Sequence, residues 1–162
     1  MLFRSDADVV RAHRRQHPTL DFGYVGDVDH VNAKQIRSFL EQGMCVVVAP
    51  ITHDGGGQLL NTNADTMAAE IAIALAKSAD GDDRVSLHFV FEHRGVLTSI
   101  DDPSSVVPVV HSADVADLCK RGVITKGMMP KITNAVRAAE AGAMVVIQHA
   151  EDCGTMNGTR VV

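Results

Sequence analysis

A chain of 162 residues is long enough for one ordinary domain or two small lobes. Its 46% hydrophobic and 22% charged content is globular and excludes intrinsic disorder. The net charge of −5 leaves no electrostatic case for nucleic acid, and no apolar run approaches the roughly 20 residues of a membrane span.

Taken in chain order, "MLFRSDADVV" lacks the apolar segment of a signal peptide, and "DADVVRAHRR" reads as the end of a strand running into a loop. The basic cluster "RAHRRQH", 11–17, reads as a solvated loop or turn rather than a binding arm. "DFGYVGDVDHVN" places Gly23 and Gly26 among β-formers, which predicts a short kinked or hairpin-like stretch. Asn32 opens a helix through "AKQIRSFLEQG", with Ile36, Phe39 and Leu40 on one face and Gly43 at the C′ position. "MCVVVAP" reads as a strand buried on both faces. "ITHDGGGQLLN" predicts a hairpin turning at Asp54–Gly57.

Next comes "LLNTNADTMAAEIAIAL", 59–75. Asn and Asp before an apolar helix cap its free N–H groups, and a carboxylate suits the helix dipole. The helix is expected over about 64–78, with Met67, Ile71, Ala74 and Leu75 on its inner face. "SADGDDR" is a polar loop at a lobe boundary, and a strand follows at about 85–91. Val109 and Val110 form a short strand, and Ser112 caps a helix through about Arg121. In "ITKGMMPKITNAV", Pro130 occupies the first turn of the next helix, whose inner face is Ile132, Ala135, Val136 and Ala139. "AMVVIQHA" is a second buried strand and "TRVV" a last one. Alternation of helices with apolar strands predicts an α/β fold with a mainly parallel sheet. Ligands in such folds bind where strand ends meet helix starts.

Lys131 falls in the first turn of its helix, where a cation opposes the dipole. With Lys126 and Gly127 beside it, the helix start has the ingredients of an anion site. The alternative is a solvated lysine. Cys45, Cys119 and Cys153 show no CxxC spacing and read as reduced thiols. The eight histidines are scattered along the chain, and structural or surface roles are expected of them rather than metal ligation.

"GYVGDVDHVN", "VVVAPITHDGGGQLLNTNADTMAAEIAIALA", "GVITKGMMPKITNAVRAAEAG" and "GTRV" occur in the order found in acetylglutamate kinases, of the amino-acid kinase superfamily. The resemblance covers nearly the whole chain, and an "NxNAD" box followed by a "GMxPK" box is specific to that group. It implies a three-layer αβα sandwich, with residues 1–78 belonging to an N-acyl-glutamate lobe and 79–162 to an ATP lobe. It implies transfer of the γ-phosphoryl group of ATP, bound with Mg²⁺, to the side-chain carboxylate of N-acetyl-L-glutamate, a step of arginine biosynthesis. A cytoplasmic homo-oligomer is implied for the full-length form.

By position, Asn61 and Asn63 resemble substrate-binding residues, Asp65 the organiser of catalytic lysines, and Lys131 the lysine that stabilises the transferring group. Glu92, Gly95, Val96 and Leu97 match one nucleotide loop, and Ile124, Thr125 and Gly127 the other. Family members begin with a glycine-rich, lysine-bearing start that this sequence does not contain. The expectation is an N-terminally truncated kinase, its sheet incomplete at that end, with little activity by itself. Two alternatives remain open: a non-catalytic nucleotide- or effector-binding module of the same fold, and a kinase for N-succinyl-L-glutamate. Phe91 and Glu92 stand where a Thr/Ser-Asp pair is usual, and the preceding segment is longer than usual.

Overall fold

The computed structural model describes residues 2–3, 7–81 and 83–162. They form two compact units, Met1–Ser78 and Ala79–Val162.

In the first unit, β1 (Leu2–Phe3) pairs in parallel with β4 (Val47–Val48). Strands β2 (Val10–Arg14), β3 (Val25–Val31), β5 (Ile51–His53) and β6 (Leu59–Thr62) close into a small barrel in the order β2-β3-β6-β5. Closure depends on Gly26. A Cβ there would stand 2.8 Å from the Leu60 Cβ and about 3 Å from the Thr52 and Thr62 hydroxyls. Those two hydroxyls share a 2.8 Å hydrogen bond inside the barrel, where Thr52 is wholly buried. Hydrophobic periodicity carries no signal for such closure. The predicted hairpin is present: Asp54 Oδ1 accepts from the Gly56 and Gln58 N–H groups at 2.7 and 3.1 Å.

Two helices complete this unit. Helix α1 (Ala33–Glu41) is capped by Asn32, whose Oδ1 accepts from Gln35 N at 3.1 Å. Its predicted face is narrower than expected: Ile36 is buried, but Leu40 is exposed. Helix α2 (Ala64–Lys77) buries Met67, Ala69, Ala72 and Ile73. Ile71 and Leu75 are partly buried against Val9, Val10 and Ile36. The guanidinium of Arg37 donates to Leu75 O at 2.8 Å and places a cation at the α2 C-terminus, as the dipole favours.

Two expectations for this unit fail. "MCVVVAP" is not a strand buried on both faces. Only Val47 and Val48 are extended, and Val47 is 49% exposed, because β4 has β1 alone as a partner among the described residues. The 11–17 cluster is largely strand rather than loop, and its basic side chains meet carboxylates. Arg11 pairs with Asp8, His13 with Asp29, Arg14 with Asp21 and Arg15 with Asp27. The guanidiniums of Arg11 and Arg15 hold the carboxyls of Asp8 and Asp27 below the usual range.

The second unit is a four-stranded sheet in the order β7-β9-β10-β8, formed by β7 (Ser86–Phe91), β8 (Val109–Val110), β9 (Met144–His149) and β10 (Thr159–Val161). The β7–β9 and β10–β8 pairings are parallel, and β10–β9 is antiparallel. Central β9 has neighbours on both sides, and Val145–Gln148 are all buried. Gln148 is satisfied there: its amide donates to Asp152 O at 3.0 Å, and its Oε1 lies 3.1 Å from His88 Nδ1.

Helix α3 (Val115–Lys120) follows a 3₁₀ turn at Ser112–Asp114, so Ser112 does not cap it and the N-cap is Asp114. Helix α4 (Met129–Glu140) packs on β9 and β10. Its buried face is Ile132, Asn134, Ala135 and Ala138, with Val136 and Ala139 at the margin. Apolar periodicity cannot report the buried Asn134. No helix among the described residues is long and apolar enough to cross a membrane.

Candidate functional site

In the first unit the residues of interest lie where β6 runs into α2. Strand alternation turns Leu60 and Thr62 into the barrel and leaves Asn61 exposed. The Asn61 backbone N–H donates to Tyr24 O at 2.7 Å, so the side chain stands on fixed backbone. Asn63 is the α2 N-cap. Its Oδ1 accepts from Thr66 N at 2.9 Å and from the Thr66 hydroxyl at 3.2 Å. That oxygen is committed to the cap, which leaves the amide NH₂ as the half able to donate to another group. Asp65 follows in the first turn, half-buried, with its charge favourably set against the dipole.

In the second unit the segment after β7 and the turn before α4 enclose a cleft of about 540 Å³. Of the residues singled out from sequence, Glu92, Gly95, Leu97, Thr125, Gly127 and Lys131 line it. Val96 and Ile124 do not. They are almost fully buried and hold the loops from beneath. Asn61, Asn63 and Asp65 belong to the other unit.

The loop from Arg94 to Leu97 is held by close approach. A Cβ on Gly95 would meet the Thr159 hydroxyl at 2.5 Å and Thr159 N at 3.0 Å, so only glycine fits. The Thr159 Oγ1 accepts from Val96 N at 2.8 Å and donates to Val107 O at 2.6 Å. Thr159 thus staples the loop to β10, an interior strand of the sheet. It lies in the "GTRV" stretch quoted above, yet residue type alone does not reveal this role.

The other wall is the start of α4. Thr125 O accepts from Met128 N at 3.0 Å and Met129 N at 3.2 Å, a turn that delivers Pro130 and Lys131 to the first helical turn. No side chain caps this helix, but Met128 N and Met129 N are taken by Thr125 O and Pro130 has no N–H, so it is the helix dipole and the Lys131 ammonium that give the cleft a positive end suited to an anion. Lys131 Nζ lies 4.9 Å from the Phe89 ring centroid and 5.7 Å from that of Phe91. Sequence reading did not find this contact. Its available signal is the "FVF" alternation, which puts both rings on one face of β7.

Among the described residues no three His, Cys, Asp or Glu side chains gather into a metal cluster. Mg²⁺ commonly binds through one or two carboxylates plus substrate phosphates. Glu92 is the carboxylate that lines the cleft.

The profile of the Amino acid kinase family matches residues 4–149. The acetylglutamate kinase of Parabacteroides distasonis is 42% identical over 158 residues, covering 97% of this chain and 60% of that protein. A solved structure, smu.665 from Streptococcus mutans UA159, superposes with a TM-score of 0.79 at 32% identity, over 100% of this chain and 60% of that one. Aspartokinase III of E. coli, solved with aspartate and ADP, gives 0.64 at 19% identity, over 99% of this chain and 34% of that one, a likeness of fold alone. The chain spans about 60% of the length of the first curated relatives it matches.

Proposed function

The chain belongs to the amino acid kinase family, and from that premise we propose that its protein moves the γ-phosphoryl group of MgATP onto the side-chain carboxylate of an N-acyl-L-glutamate, N-acetyl-L-glutamate foremost. The observation that carries this reading is the cleft in the second unit, where a glycine-tightened loop faces an uncapped helix start bearing Lys131. In this reading residues 79–162 hold ATP and residues 1–78 hold the acceptor.

A carboxylate acceptor is already ionised at neutral pH, so the reaction needs no general base. Its oxygen attacks Pγ, the bond from Pγ to the bridging oxygen breaks, and ADP leaves with that electron pair. The obstacle is repulsion between anions, which positioned cations and N–H groups reduce. Lys131 and the α4 N-terminus neutralise the transferring group. Asn61 and the free amide half of Asn63 hold the polar groups of the acceptor. Asp65 orients cations and takes no proton. Mg²⁺, when bound with ATP, screens the phosphates. Homo-oligomers and a place in arginine biosynthesis belong to the same reading.

The test is binding followed site by site by amide NMR on this chain. MgATP should perturb Gly95, Leu97 and Gly127. N-acetyl-L-glutamate should perturb Asn61 and Asp65. A response to N-succinyl-L-glutamate alone moves the acceptor to that acyl group. MgATP binding with no response to any acyl-glutamate leaves a nucleotide-binding module and overturns the kinase assignment.

A further inference from the structure

On β7, Leu87, Phe89 and Phe91 alternate onto one face, with Leu87 and Phe89 buried. Lys131 is the third residue of α4, where its own helix dipole repels its charge. The ammonium instead lies over two aromatic rings, both within the roughly 6 Å at which a ring quadrupole attracts a cation. The rings differ in setting. Phe89 is 4% exposed and forms a fixed base. Phe91 also lines the cleft and meets His93 edge-on, with centroids 5.5 Å apart and planes at 87°.

We infer that Phe89 and Phe91 are positioning residues that hold the Lys131 ammonium at the cleft wall and so favour a nucleoside triphosphate over a diphosphate. The inference rests on the reading that Lys131 meets the transferred phosphoryl group. A lysine chain is long and loses rotamer freedom when it binds a phosphate. Rings that already restrict the chain lower that cost before the nucleotide arrives. A diphosphate lacks the group this ammonium awaits and gains less from the arrangement.

The experiment uses the whole chain with ¹³C-labelled lysine, the Lys131 signal being assigned through Lys131→Arg. Ring currents should displace the Lys131 Hε protons upfield. Phe91→Leu should return them toward the free-lysine position, and Phe91→Tyr should leave them displaced. Thermal melts establish that both variants fold; Phe91→Ile replaces Phe91→Leu, and Phe91→Trp replaces Phe91→Tyr, if either does not. The ratio of MgADP to MgATP dissociation constants is then measured by titration. In Phe91→Leu the ratio should fall by roughly two- to thirtyfold, the range of a cation–π contact, and Phe91→Tyr should keep the parent value.

An unchanged ratio in Phe91→Leu, with the proton signal returned, overturns the positioning role and makes the rings packing alone. A Lys131 signal that is not displaced in the parent chain overturns the contact itself. If neither nucleotide binds while the signal is displaced, the nucleotide reading of the cleft falls, and this role falls with it.

Discussion

At the scale of single residues, Asn63 shows how one side chain serves structure while standing among candidate binding groups. Its Oδ1 caps α2 through Thr66. Asn63→Ala should therefore lower stability by about 1 kcal/mol, while Asn63→Asp, which caps equally well, should change it little. Urea denaturation of the two variants checks this. Glycines separate packing from function in the same way. Gly26→Ala forces a methyl into the closed barrel against Leu60, Thr52 and Thr62, and overpacking of this kind costs about 1–3 kcal/mol. Gly127 has open space where a Cβ would go. Gly127→Ala should leave the denaturation midpoint nearly unchanged, yet weaken MgATP binding, because the methyl projects beside the cleft. Equal ATP affinity in that variant would count against a phosphate lying close to this turn.

At the scale of elements, the β5–β6 hairpin is the clearest local device. Asp54 accepts two backbone N–H bonds across its turn, and those bonds hold its carboxyl below the ordinary range. A group whose folded value is lowered contributes stability that is present above its unfolded value and lost as pH falls through the folded one. The turn should therefore be fully formed at neutral pH and loosen below the usual carboxylate range. Amide exchange of Gly56 and Gln58 as a function of pH measures this. Asp54→Asn keeps an acceptor oxygen and removes the titration, so its protection factors, taken relative to intrinsic exchange at each pH, should be flat.

Helices show where local signals stop. The caps at Asn32 and Asn63 were legible because capping is a contact within one turn. Ser112 was not, since whether a serine caps depends on where the chain enters the helix, and here a 3₁₀ turn intervenes. The inner faces of α2 and α4 were located only approximately. Asn134 and Ala138 are buried, a consequence of how α4 lies on β9 and β10 rather than of its own pattern.

At the scale of the whole molecule, the two units should respond to different ligands. In hydrogen exchange followed by mass spectrometry, MgATP should protect peptides covering 91–100 and 122–131, and N-acetyl-L-glutamate peptides covering 59–67. Protection of both units by MgATP alone would overturn the division of roles between 1–78 and 79–162.

Much about the protein follows from sequence alone. The places of the helices and of most strands, the two asparagine caps, the Asp54 turn and membership of the amino acid kinase family were legible. Each rests on short-range chemistry or on spaced motifs such as "NTNAD" and "GMMPK". Tertiary structure alone decided the rest. It closes β2, β3, β6 and β5 into a barrel around Gly26, leaves Val47 exposed on a two-residue strand, and sets Thr159 against Gly95. It also lays Lys131 over Phe89 and Phe91, residues some forty positions apart. Hydrophobic period reports which face of an element is inward. It does not report which other element that face meets, and in this protein those meetings seat the lysine on which the proposed chemistry depends.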